Sequence, residues 1–352
     1  MIRTSCVVFF LVTTVIASVP VAADDYDKGF AAYDKQDYAT ALRLFRISAE
    51  KGNAESQNGL AIMYLNGQGV PQDYSEAAKW FRRAAEQENE SAQYSLGVMY
   101  ERGLGLTQDY AEAAKWYRRA AEHGYELAQY NLGVMSEDGQ GLKQDFAEAV
   151  KWYRRAAEQG NEKAQINLAV MFGSGHGVPQ DSTEAAKWYR LAAEQGHLGA
   201  QLNIAYMLAN GQGVTQDGPE AAKWYRRAAE QGDASAQHNL GVMYDFGSGV
   251  SQDYAEAVKW YSRAAEQGDA SAQFNLGVCY AHGQGVSRDY VQAHKWISLA
   301  AVRYPANESE LRATAVGARD TIAAAMTPEQ IAEARRLARE WKPKPETQGT
   351  SE

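Results

Sequence analysis

SAQYSLGVMYERGLGLTQDYAEAAKWYRRAAEHG occupies residues 91–124. Two helical patterns meet in it around a pair of glycines. In the first half, helix A, Ala92, Leu96, Met99 and Tyr100 fall at helical spacing. In the second, helix B, Ala113, Trp116, Tyr117, Ala120 and Ala121 form another apolar stripe. Gly103-x-Gly105 between them looks like the opening of a phosphate loop. Such a loop needs a strand before it and a third glycine or a Lys-Ser/Thr ending. Here a helix precedes it and the ending is missing. The pair therefore reads as a hinge whose glycines supply positive φ.

The same pattern recurs along the chain. Tryptophan stands at 80, 116, 152, 188, 224, 260 and 296, always 36 residues apart. Glutamine does the same from Gln57 to Gln273, and glycine pairs run from Gly67/Gly69 to Gly283/Gly285. Seven units fill residues 54–305 without an insertion. One helix pair cannot bury its own apolar faces, whereas stacked pairs share a continuous core. Gly97, Gly133, Gly241 and Gly277, with Ala61, Ala169 and Ala205 elsewhere, permit close helix approach. The recurring glutamine lies on the apolar side of helix A. A buried amide needs a partner, so its expected bond is to backbone in the neighbouring unit.

Helix B has explicit ends. Asp109 and Glu112 form a capping-box pattern, repeated from Asp73/Glu76 to Asp253/Glu256 and varied as Asp289/Gln292. Gly124, Gly160, Gly196, Gly232 and Gly268 stand where a left-handed residue stops the helix. Glu88 breaks that rule.

These residues carry a resemblance. The string A-x-A-Q-Y-x-L-G-x-M-Y-x-x-G-x-G, continued by D-Y-x-E-A-x-K-W-Y-R-R-A-A-E-x-G, resembles the Sel-1-like repeat, a 36-residue relative of the tetratricopeptide repeat. The resemblance implies an all-α fold: an α/α right-handed superhelical solenoid that works as an adaptor, with helix A lining the concave face. Exported bacterial members are similar in serving envelope regulation, polysaccharide export or host contact.

The flanks complete the organisation. Residues 1–23 read as a signal peptide: Arg3, the apolar stretch Val7–Val19, then Val21-Ala22-Ala23 as cleavage site. The apolar run is shorter than a membrane span requires, so no span is expected after its removal and the product is expected to be periplasmic or secreted. Cys6 leaves with it, and Cys279 then has no partner. Residues 24–53 read as an N-terminal tetratricopeptide-type helix pair, Tyr26–Lys35 and Asp37–Lys51. Residues 306–342 read as C-terminal capping helices, the last opened by Thr327-Pro328-Glu329-Gln330. Residues 343–352 read as a flexible tail.

The formal charge is −9, and Lys115, Arg118 and Arg119 of helix B alternate with Glu112 and Glu122. A near-neutral face of helical charge pairs on an acidic chain makes nucleic acid a poor partner. Partner binding is expected instead on helix A. The position after each glutamine holds Asn58, Tyr94, Tyr130, Ile166, Leu202, His238 and Phe274, and the next holds Gly59, Ser95, Asn131, Asn167, Asn203, Asn239 and Asn275; the candidates are Tyr94, Tyr130, His238, Phe274 and the five asparagines from Asn131 to Asn275. Asparagine amides can pair with extended backbone, and rings supply anchoring area. The asparagine resembles a backbone-reading position of peptide-binding relatives, although their Lys/Arg clamp is not evident. Glu101, Glu137, Asp138 and Asp245 suggest an acidic edge or a solvated face.

No Ser/His/Asp set or repeated metal spacing is present, and no cofactor or metal is expected. His238, Cys279 and His282 could approach one another, yet Cys279 replaces a core methionine of earlier units. The expected function is a non-enzymatic exported scaffold that binds a protein or peptide segment; the sequence leaves the oligomeric state open. The alternatives are an enzyme acting on peptidoglycan or a β-lactam, or a polysaccharide-binding protein. Cys-rich relatives linked to β-lactams carry paired cysteines, which this chain lacks.

Overall fold

The computed structural model describes residues 23–344. Nearly all of the expected signal peptide, with Cys6, and the tail from residue 345 lie outside the described residues. Among these there are 18 helices and no strand, an all-α repeat solenoid fold. The chain divides into two units at Asp145/Phe146. The first holds α1 (Ala23–Asp34), α2 (Tyr38–Glu50), α3 (Ala54–Asn66), α4 (Tyr74–Glu86), α5 (Glu90–Arg102), α6 (Tyr110–Glu122) and α7 (Glu126–Asp138). The second holds α8 (Phe146–Glu158), α9 (Glu162–Ser174), α10 (Ser182–Glu194), α11 (Leu198–Asn210), α12 (Gly218–Glu230), α13 (Ala234–Phe246), α14 (Tyr254–Gln267), α15 (Ala270–His282), α16 (Tyr290–Arg303), α17 (Ser309–Ala323) and α18 (Pro328–Glu340). From α3 to α16, odd numbers are A helices and even numbers are B helices. Within each unit successive helices pack on one another up to α16, which meets both α17 and α18.

The aspartate caps form as the sequence predicts. Asp73, Asp109, Asp181, Asp217, Asp253 and Asp289 accept from first-turn amides at 2.8–3.1 Å. The reciprocal half of the box differs. Glu76, Glu112, Glu184 and Glu256 hold Lys79, Lys115, Lys187 and Lys259 three residues on. A lysine one turn away offers a charged donor, which wins over a solvated amide. The full box forms at Thr327/Gln330. The A helices have caps that the sequence reading missed: Asn53, Asn89, Asn161, Asp233 and Asp269, with His197 accepting through Nδ1.

The recurring glutamine is a joint between repeats. Its Nε2 donates to the carbonyl of a B-helix alanine eight residues earlier, from Gln57 to Ala49 at 3.1 Å through Gln273 to Ala265 at 3.0 Å. Where a second glutamine ends the B helix of the same repeat, the Oε1 accepts from it: Gln195 to Gln165 at 2.8 Å, Gln231 to Gln201 at 2.8 Å. A buried amide is thereby satisfied on both sides.

The two glycines of each pair do different work. The first, such as Gly103 at φ 66°, ends the A helix in the left-handed region. The second lies against the start of the preceding B helix. A Cβ on Gly105 would stand 2.4 Å from the carbonyl carbon of Tyr74. The hinge of the sequence reading is thus also a backbone contact between repeats. Glu88 takes the left-handed conformation that glycine holds in sibling repeats, at φ 65°.

B-helix cations are engaged locally. Arg83, Arg119 and Arg227 lie over Trp80, Trp116 and Trp224 with centroid distances of 4.5, 5.0 and 4.6 Å. Arg82 and Arg226 bond the hydroxyls of Tyr100 and Tyr244 in the next repeat. At the C-terminus Trp341 packs edge-on against Trp296 and under Arg303. Lys344, at the start of the expected tail, donates its amide to Glu266.

Candidate functional site

The A helices present a polar stripe because their buried positions recur at Gln, Leu/Ile, Gly/Ala and Met. On α11, Gln201, Ile204, Ala205, Met207 and Leu208 are buried. Asn203, Tyr206 and Asn210 remain exposed at i, i+3 and i+7. The same places on α9 hold Asn167, Val170 and Ser174; on α13 they hold Asn239, Val242 and Phe246. Val170, Tyr206 and Phe246 are 49, 51 and 72% exposed, large values for apolar or aromatic side chains.

The residues singled out from sequence divide between the two units. In the first, Tyr94 stacks on Tyr125 and Tyr117 at 5.1 and 5.6 Å. Asn131 lies near the Tyr94 and Tyr117 hydroxyls, and Tyr130 is half-buried. In the second, Asn275 Nδ2 lies 3.2 Å from His238 Nε2, whose ring also faces Tyr261 at 5.9 Å. Phe274 packs against the cluster of Ile297, Ala300 and Tyr304. Asn239 and Asn167 are half-buried. Asn203 is exposed and donates Nδ2 to the Gly199 carbonyl at 2.8 Å, which leaves its Oδ1 to accept. Tyr94, His238 and Phe274, with Asn275, are therefore engaged in packing between helices, while Asn203 lies on the exposed stripe.

In some repeats a tyrosine and an acid close the packing of helix A on helix B. Tyr117 on α6 is fully buried beneath Gly97 and donates its hydroxyl to Glu101. Tyr261 repeats this with Gly241 and Asp245, at 3.2 Å. Burial raises both phenol pKa values, and the neighbouring carboxylate raises them further. Two members of the suspected acidic edge are thereby committed to tyrosines.

Between α9, α10 and α11 the arrangement is absent. Ala169 replaces the glycine, and Gly173 replaces the acid. Tyr189 is only half-buried there, and no described residue bonds its hydroxyl. The result is a cleft of ≈ 510 Å³ lined by Gly173, Gln180, Ser182, Tyr189, Asn203, Tyr206 and Gln212, with Ala185 and Met207 as its apolar wall. The sequence reading named Asn203 but missed Tyr189, Tyr206 and Gln212. The available signal was departure from the repeat: tyrosine where siblings carry valine or isoleucine, and glycine where Glu101, Glu137 and Asp245 stand in three of them.

Cys279 is buried, and burial pushes its thiol up to about 12, the opposite of an activated nucleophile. His282 is exposed. Among the described residues no group of three His, Cys, Asp or Glu side chains is placed to hold a metal. No described helix is long and apolar enough to cross a membrane.

A family model described as Sel1 repeat matches residues 26–53, 54–89, 90–125, 127–161, 162–197, 199–233, 234–269 and 270–301. The chain belongs to the Sel1 repeat family. The match makes eight Sel1 repeats, including residues 26–53, which the sequence reading took as a tetratricopeptide-type pair. A Sel1 repeat protein from Oxalobacter formigenes is similar in structure: 37% identical over 82% of this chain and 86% of that one, with a TM-score of 0.57. A second similar structure is c5321, described as a protective antigen present in uropathogenic Escherichia coli strains and displaying an SLR fold. It is 30% identical over 91% of this chain and 84% of that one, with a TM-score of 0.53. A search of the curated proteins finds no match. Sel1 solenoids are typically non-enzymatic scaffolds for protein–protein interaction.

Proposed function

We propose that this Sel1 repeat protein is an exported adaptor that holds a segment of a partner protein on the A-helix face of its second unit. The observation that carries the reading is the cleft between α9, α10 and α11, where aromatic area and unpaired polar groups converge on an exposed stripe. Interfaces concentrate binding energy in such aromatic anchors. The Asn167, Asn203 and Asn239 amides along α9, α11 and α13 suit pairing with an extended backbone. Export rests on the signal-like residues 1–23, and the similar Escherichia coli protein, described as an antigen, is consistent with it. Envelope regulation, secretion and host contact are the processes such an adaptor would serve.

Photocrosslinking tests the reading. A photoreactive phenylalanine at position 206 should yield adducts mapping to one segment of one partner. The same group at Lys151 or Lys223, exposed on the B helices, should yield none. Adducts confined to the B-helix positions would overturn the proposal.

A further inference from the structure

We infer that the cleft between α9, α10 and α11 takes a proline-rich segment in the polyproline II conformation. This rests on the adaptor reading of the same face and names its ligand class.

The cleft lining carries no charged side chain. In a chain with 35 basic and 44 acidic residues, that selects against charged segments, which would lose hydration without gaining a partner. Its free polar groups include donors that no described residue uses. No described residue bonds the hydroxyl of Tyr189 or Tyr206, or the side-chain amide of Gln212. Gln180 and Asn203 have already given one N–H to Gly173 and Gly199. A polyproline II helix is the complementary backbone: it makes no internal hydrogen bonds, its carbonyls are open, and proline supplies no N–H to be left unpaired. The Asn203 Oδ1 can accept from the one N–H that a non-proline residue in the segment provides. Tyr189 and Tyr206 offer ring faces for the pyrrolidine edges, with Ala185 and Met207 behind them. A helix would have its backbone already satisfied.

The sibling repeats show how the site was opened. Where Glu101 or Asp245 is present, the acid takes the tyrosine hydroxyl. At Gly173 the nearest atom to an added Cβ is that of Ala185, 4.0 Å away. Gly173→Glu therefore introduces the acid that Glu101 and Glu137 supply in two sibling repeats, in a helix with room for it, and fills the cleft without threatening the fold.

The test titrates the full chain with a fluorescent dodecapeptide of Pro-Pro-Ala triplets, a Gly-Ser dodecapeptide and chitotetraose. The proline peptide should bind saturably and at least about tenfold more tightly than the Gly-Ser peptide, roughly the effect of one good anchor. Tyr206→Ala and Gly173→Glu should each weaken it by about tenfold or more at an unchanged or raised denaturation midpoint, while Val98→Ala on α5 should leave it unaltered. Equal binding of the two peptides, or proline binding indifferent to Tyr206→Ala, overturns the inference. If the Gly-Ser peptide binds through Tyr206, the proline inference fails and the adaptor reading stands. If only chitotetraose binds, both fail.

Discussion

Gln87 donates its Nε2 to Gln57 Oε1 at 2.8 Å, and Gln57 donates onward to the Ala49 carbonyl at 3.1 Å. The relay recurs at Gln195/Gln165, Gln231/Gln201 and Gln267/Gln237. At the corresponding place after Gln93 stands His123, and after Gln273 stands Arg303. Gln93 Oε1 and Gln273 Oε1 are buried without a partner. Arg303 lies over Trp341 instead. His123→Gln should therefore raise stability by about 1 kcal/mol, by satisfying the Gln93 acceptor. Gln231→His should cost about 1–3 kcal/mol by orphaning Gln201. Urea midpoints at constant m-value would measure both; no change in either would mean the relay contributes nothing.

Positive φ and close approach can be separated at two glycines. A Cβ on Gly124, at φ 100°, meets nothing within 4 Å, so Gly124→Ala should cost only backbone strain, about 1–2 kcal/mol. Gly105→Ala adds a collision with Tyr74 backbone and should cost about 3 kcal/mol or more. Glu88→Gly should gain about 1 kcal/mol. Chemical denaturation of the three variants checks the ranking, and equal losses at Gly105 and Gly124 would refute the assigned contact.

Acid should weaken the C-terminal repeat through His294. Burial, then Arg319 and Arg335, lowers its pKa, while Asp320 opposes them. A histidine with a depressed folded pKa stays neutral when the unfolded chain takes up a proton. Its stability is full above the ordinary value of 6.5 and declines as pH falls from there towards the folded value. Sibling repeats place alanine or valine at this position. His294→Val should shrink the stability difference between pH 7.5 and pH 5. Parallel pH profiles for the two proteins would rule the histidine out.

Residues that repeat were legible because they report backbone requirements. Trp116, Gln93, Asp109 and Gly105 each recur at a fixed interval, and each meets the same local demand in every copy. The fold followed from them. The site was legible only in part because it lies where the pattern lapses. Gly173 and Tyr206 look like noise within a period. Their meaning depends on which tyrosine hydroxyl an acid would otherwise have held. The positions after the glutamine misled because helical phase alone cannot distinguish a side chain facing solvent from one packed on a neighbouring repeat, as Tyr94 is on Tyr125.

Each B helix from α4 to α14 is fastened near both ends: a glycine of the following repeat lies against its first residue, and a glutamine grips a carbonyl in its last turn. One extra residue in either connecting loop would unseat one fastening while the other held. Removing a complete 36-residue module lets both close again. The array can therefore change length only in whole quanta, like a chain of rigid links, while the stripe on its A helices is free to vary residue by residue.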